Sequence, residues 1–293
     1  MWTQRFKTLM LREWMQHHRG WLLLMLVPPL LFMALLPVGH VEMDEDLHPT
    51  VLADMVVSAS AVLIGAIIWV TTVFQLPGLA RRDQQDRSIE FWRSLPASHS
   101  ESLGALLTMH VLLIPMLAVL VGSVVGLPVA AGLVLKLGGT AALAEVSWSG
   151  LLLSTLFGVV RLMLGSLLMA LWLAPLLLLM MAASAWLKRL GVPVVLGVLG
   201  VGGLVLDKVY GLPIVWQLMK IQLEGALKAF MNHLSEFEHA QHSPEKLSAA
   251  AGRWAWDDGL AALGGLASPH LIGGLVLAGL CFWLLVLQRQ RSH

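Results

Sequence analysis

Residues 51–79 read VLADMVVSASAVLIGAIIWVTTVFQLPGL. Only Asp54 in this run is ionisable, and the run is longer than the roughly 20 apolar residues with which an α-helix crosses a bilayer. In a water-soluble domain such a helix would have to be covered on every side, and five more runs compete for the same cover: Gly20 to Val38, Leu103 to Leu127, Ser166 to Leu187, Val192 to Leu206 and His270 to Leu287. The 293 residues are 57% hydrophobic and 13% charged, against about 45–50% and about 25% in ordinary soluble domains. Mean hydropathy is +0.77. The reading is an all-α, polytopic integral membrane protein with six transmembrane helices.

Charge then orients the bundle, because Lys and Arg collect on the cytoplasmic side of short loops. Arg5, Lys7, Arg12 and Arg19 precede the first span, and Arg81, Arg82, Arg87 and Arg93 lie between the second and third. Lys188 and Arg189 follow the fourth, and Arg289 and Arg291 the sixth. The opposite short loops carry Glu42, Asp44, Glu45 and Asp46 with no Lys or Arg, then Lys136 alone. Both termini are therefore expected in the cytoplasm and the chain in the cell's inner (plasma) membrane. The first run lacks a small-x-small cleavage pattern before His40, so it is read as a retained span. The 39 residues Ser149 to Leu187 exceed one crossing; they are divided into a surface-lying segment and a span from Ser166. The fifth run can extend through Asp207 and Lys208 by snorkelling.

The expected division of the chain is an amphipathic interfacial helix at 1–19, five spans over 20–206 with a cytoplasmic connection at 80–102, an extracytoplasmic helical segment at 207–269, and the sixth span with its tail at 270–293. In the third of these, Pro213 opens a helix whose Trp216, Met219, Leu223, Leu227, Phe230, Leu234 and Phe237 form an apolar stripe, to be covered by a symmetry mate, by a second short helix or by the outer leaflet. A second short helix is expected from Ser243-Pro244 to about Ala251. No inverted repeat of the kind found in secondary transporters is visible.

Several chemistries are excluded. A net charge of +1 offers no field for nucleic acid. The single cysteine, Cys281, builds neither a disulfide nor a thiolate metal site. No phosphate-binding loop, His-Glu-x-x-His or Gly-x-Ser-x-Gly occurs, so the chain is expected to hold no catalytic residue, cofactor or metal of its own. Of eleven histidines, only His110 lies well inside a span, which leaves paired axial ligation of haem without a second residue. His233, His239 and His242 with Glu236 and Glu238 are read as a solvated polar face rather than a metal site. Asp54 and Arg161 are the two ionisable residues expected within the bundle, and they are proposed to pair near the outer interface. Gly197, Gly200 and Gly203 in the fifth span and Gly273 and Gly274 in the sixth permit close backbone approach. They serve either subunit pairing or, with Pro115, Pro128 and Pro175, the loosening of helices around a moving pathway.

The connection between the second and third spans carries the most information: Asp86-Arg87-Ser88-Ile89-Glu90-Phe91-Trp92-Arg93-Ser94-Leu95-Pro96. Dense charge is mixed with apolar side chains that a solvated turn would not present. Asp86 or Ser88 can cap a short helix that Pro96 ends near Leu95, and an aromatic knob rimmed by Arg suits a groove on a soluble partner. At the amino terminus Trp2, Phe6, Leu9, Met10 and Trp14 share a helical face while Arg5, Lys7 and Arg12 can reach lipid phosphates.

An amphipathic first helix, six spans and this charged connection together resemble the permease subunits of ABC-2 type transporters. In that family the connection often reads Glu-x-Gly-Thr-Leu-Glu-x-Leu-Leu-x-x-Pro and forms the coupling helix that docks on the ATPase. Here Ser88 stands where Gly or Thr is common, and Phe91-Trp92 replace an aliphatic pair. The resemblance implies an elbow helix at the amino terminus, with Trp2, Arg5, Phe6, Leu9, Arg12 and Trp14 lining the same ATPase groove. It also implies two copies of a separate ATPase subunit that holds ATP and magnesium, and a second permease copy in a homodimer. On this reading Phe91 and Trp92 are buried anchors and Asp86, Arg87, Glu90 and Arg93 polar rim contacts. The alternatives are an ion-coupled secondary transporter, which would need more midplane carboxylates, and a non-transporting scaffold or sensor that uses the extracytoplasmic segment.

Overall fold

The computed structural model describes residues 2–40, 47–85, 98–232 and 246–291. Every regular element among them is helical. In chain order these are α1 (Trp2–Leu35), α2 (Pro49–Gln85), α3 (His99–Leu107), a π-helical turn (Thr108–Leu113), α4 (Ile114–Glu145), α5 (Trp148–Leu187), a 3-10 turn (Lys188–Leu190), α6 (Gly191–Tyr210), α7 (Ile214–Phe230), α8 (Leu247–Gly264), a 3-10 turn (Gly265–Ala267) and α9 (Pro269–Arg291). Five helical segments are long and apolar enough to cross a membrane: Gln4–Leu35, Pro49–Ala80, His99–Glu145, Trp148–Tyr210 and Pro269–Arg291. The fourth contains the 3-10 turn Lys188–Leu190, where φ of Lys188 is 55°. Residue 191 is a glycine because a Cβ there would lie 2.4 Å from Ser184 Cα. The protein is a multi-pass helical membrane protein.

The helix boundaries expected from the sequence need correction. No break separates an interfacial helix from the first span: α1 is a single helix of 34 residues, about 50 Å long. Nothing between Arg12 and Trp21 is a strong helix breaker, and the inner face stays continuous through Leu9, Trp21 and Met25. The division of Ser149 to Leu187 also fails, since α5 is one helix of 40 residues. Of the stripe on α7, Leu223 and Leu227 face away from the bundle, so the cover left open for them does not come from the described residues of this chain. Leu223 and Leu227 are exposed, whereas Gln222, Ala226 and Ala229 are buried against the bundle. The helix that follows begins at Leu247 and runs to Gly264, well past the expected end near Ala251.

The core is built in storeys along the helix axes. Leu52, Ala53 and Val57 of α2 meet Ala130, Leu133 and Val134 of α4 and Leu151 of α5 at one end. Trp21 and Met25 of α1 close on Ile64, Ile68, Met109, Ile114 and Ala118. At the other end Leu76 and Leu79 of α2, Leu103 and Leu106 of α3, Leu177 and Met181 of α5 and Cys281 and Leu285 of α9 pack together. α2 and α4 are held at backbone distance: a Cβ on Gly122 would lie 2.8 Å from Ala61 Cα, and one on Gly126 3.0 Å from Val57 Cα.

Polar details fix the ends. Ser98 caps α3 with a reciprocal capping box: Glu101 N donates to Ser98 Oγ at 3.2 Å and Ser98 N to Glu101 Oε2 at 2.7 Å. Lys136 donates to the carbonyls of Leu36 and Gly39 just past the end of α1, where helix carbonyls are short of donors. Gly211, at φ 65°, closes α6, with Leu212 N donating to Leu206 O. The Arg291 guanidinium lies 5.7 Å from the Trp186 ring, so the tail of α9 and the Lys188–Leu190 turn share one end of the bundle.

Candidate functional site

A cation in an apolar helix must find a counter-charge or reach water. Arg161, a third of the way along α5, is fully buried and finds Asp258 of α8. Its Nε donates to Asp258 Oδ2 at 2.8 Å and Nη2 lies 2.6 Å from the same oxygen, with both side chains 1% exposed. Nη2 also donates to the carbonyl of Ala229 on α7 at 3.2 Å, and Asn232 N donates to Asp258 Oδ1 at 3.3 Å. One ion pair thus ties α5, α7 and α8 at a single level. The expected pairing of Arg161 with Asp54 is not formed. Asp54 is buried on α2, and Arg161 takes its counter-charge from a residue 97 positions away.

A second polar junction lies further along α5. Pro175 cannot donate to the carbonyl of Leu171, and its ring pushes the preceding turn apart. In this loosened stretch the carbonyl of Trp172 accepts from Gln222 Nε2 of α7, and His270 Nε2 of α9 donates to Gln222 Oε1 at 2.7 Å. The His270 ring stacks on the Trp172 indole with centroids 6.2 Å apart. α7 approaches this closely because residue 225 has no side chain: a Cβ there would lie 2.3 Å from the indole. Between the two junctions is a cleft of about 290 Å³ lined by Trp172, Glu224, Lys228, Asn232, Ala262 and Ser268 among others. It offers an apolar wall beside one carboxylate and one ammonium group.

The residues expected to contact a partner are placed unevenly. Asp86, Arg87, Ser88, Ile89, Glu90, Phe91, Trp92, Arg93, Leu95 and Pro96 lie outside the described residues, as do His233, His239, His242, Glu236 and Glu238. On α1, Arg5 is exposed, Phe6 and Trp14 are half-buried and Leu9 is buried. Arg12 Nη2 is 3.5 Å from Glu13 Oε1. Trp2 belongs to the same helix. The apolar face of α1 packs on protein: Met10 and Trp14 join the cluster around Trp21, Ile64 and Met109. Of the glycines singled out, Gly203 meets Trp216 and Val215 of α7 and Gly274 meets Pro175, while Gly197, Gly200 and Gly273 face open space.

Sequence reasoning missed Asp258, Gln222 and His270. Asp257-Asp258 within an otherwise apolar helical stretch was the available signal for the first. The capping box carried one too, in Ser98-His99-Ser100-Glu101. Nothing local marked Gln222, whose partners lie on two other helices. Compared with family models, with curated proteins and with solved structures, the chain matches none.

Proposed function

We propose that the chain is the membrane-spanning permease subunit of an ATP-driven ABC-2 type exporter. On this reading it crosses the inner membrane six times, with the turn at Lys188–Leu190 separating two crossings and both termini in the cytoplasm. It pairs with a second copy and couples hydrolysis by two separate ATPase subunits to substrate movement. The observation that carries the reading is the setting of the 86–97 connection. One end is continuous with α2. The other enters α3 at the Ser98 capping box, and α3 runs on through the π turn into α4. α2 and α4 in turn are locked at backbone distance by Gly122 and Gly126. A push on Ile89 to Leu95 would therefore reach the core through two stiff, interlocked helices rather than dissipate in a loose loop. The amphipathic cleft beside Trp172 suits a substrate with an apolar body and a polar head, such as a lipid or an amphipathic peptide.

The test is co-purification of the complex from detergent. Trp92→Ala removes the proposed anchor and should weaken ATPase association by about 30-fold, the loss typical of a hot-spot aromatic. Retention of ATPase equal to that of the unaltered protein would refute the assignment, as would purification of the intact complex with no nucleotide-binding polypeptide in it.

A further inference from the structure

The sequence left His110 as a lone histidine inside a span, and the fold gives it company. α1 brings Glu13 and His17, four residues apart on one face, against the π turn that carries His110. One ligand-capable atom from each of the three lies within 4.8 Å of the others. Glu13 and His110 are buried, and the His17 side chain is 22% exposed. The two imidazoles meet edge to face at 5.0 Å, with Trp21 against both rings.

Both rings are also prepared electronically. His17 Nδ1 lies 3.1 Å from the carbonyl of Glu13, and His110 Nδ1 lies 3.1 Å from the carbonyl of Leu106. A carbonyl only accepts, so the contact at His110 favours the proton on Nδ1 and the lone pair on Nε2, whereas His17 Nδ1 also faces Glu13 Oε2 at 3.9 Å, so that ring has one nitrogen toward the carboxylate and one to spare. Histidine ligands to metals are held in this way, with the second nitrogen bonded to the main chain or a carboxylate. We propose that Glu13, His17 and His110 form a three-ligand site for a divalent transition-metal ion of the zinc class. Water would complete a tetrahedron from the exposed edge of His17.

The geometry and charge select among ions. Two nitrogens on one tetrahedral ion at 2.0–2.1 Å stand about 3.3 Å apart, so a contraction of at most about 1.5 Å, achievable by side-chain rotation, closes the set. Two imidazoles and one carboxylate are too few oxygens for calcium or magnesium. Arg12, 3.5 Å from Glu13, further disfavours ions held by charge alone and leaves those that bond imidazole strongly. A bound ion would staple α1 to the junction of α3 and α4.

The full-length protein, purified in detergent and stripped with chelator, provides the test, with Co²⁺ as spectroscopic probe and Zn²⁺ as stabiliser. We expect one equivalent of Co²⁺ with the intense visible bands of four-coordination, and a rise in Tm with Zn²⁺. His17→Asn and Glu13→Gln should each weaken Co²⁺ binding by more than the roughly 10–100-fold of an outer-shell change and remove the Zn²⁺-dependent rise. His18→Asn, one residue along α1, should alter neither. Because His110 is deeply buried and its variants risk misfolding, the half-exposed His17 carries the decision, with elution volume checked to confirm a folded variant. Equal Co²⁺ uptake by the unaltered protein and His17→Asn overturns the site. So does a six-coordinate spectrum, or no uptake at all.

Discussion

Arg161 and Asp258 show what a single residue costs in an apolar interior. Removing one member of a buried pair strands the other charge and typically destabilises by about 3–5 kcal/mol, whereas replacing both with apolar residues of similar size is often neutral or better. We therefore expect Arg161→Met or Asp258→Asn alone to lower Tm in detergent markedly, and the double variant Arg161→Met/Asp258→Leu to regain most of the loss. A double variant as unstable as the sum of its parents would mean that the pair does more than neutralise itself, for example by holding Ala229 and Asn232 in place. At this scale the sequence exposed the problem but not its solution. Arg161 was legible as an expensive residue because hydropathy marks it within a local window. Its partner lies 97 positions on, where no window reaches. His110 was legible in the same partial way, visible as a histidine in a span with its neighbours on α1 hidden.

Among the elements, α7 carries the plainest lesson. Its large apolar residues read as one stripe needing cover from a symmetry mate, a second short helix or the outer leaflet. The structure buries Gln222, Ala226 and Ala229 and leaves Leu223 and Leu227 outside. The side with small residues packs because backbones can come near: a Cβ on Gly225 would lie 2.3 Å from the Trp172 indole. α2 and α4 obey the same logic. Gly122→Ala should force the helices apart, since its Cβ would stand 2.8 Å from Ala61 Cα and 2.9 Å from Ser60 O, at a cost of about 1–3 kcal/mol. Gly273→Ala, which meets nothing within 4 Å, should be neutral or slightly stabilising. Thermal unfolding of the two variants side by side checks the contrast. If Gly122→Ala unfolds at the temperature of the unaltered protein, α2 and α4 are not held as described. That the chain is built of long apolar helices was legible, because 20-residue hydropathy needs no tertiary information; among the described residues the structure has five segments able to span where six were expected. The length of α1 and α5 was not, because segments beyond one bilayer thickness were divided by rule at Gly20 and beside Gly165, where the helices run on.

For the whole molecule, the outward side of α6 matters most, since Gly197 and Gly200 there face open space amid exposed valines and leucines. In the proposed homodimer this is the surface for the second copy. Gly197→Cys in a Cys281→Ser background should give a disulfide-linked dimer on mild oxidation in native membranes, whereas Gly265→Cys, on the turn after α8, should not. Monomer only from Gly197→Cys would place the pairing surface elsewhere. Assembly order follows from a different feature, the lysine that finishes the first helix. The carbonyls of Leu36 and Gly39 receive Lys136 from 100 and 97 residues downstream. Synthesis delivers the amino terminus first, so α1 waits with its far end bare until the ribosome has passed that codon. Nascent chains halted short of it should be cleared by quality-control proteases far sooner than chains halted just beyond.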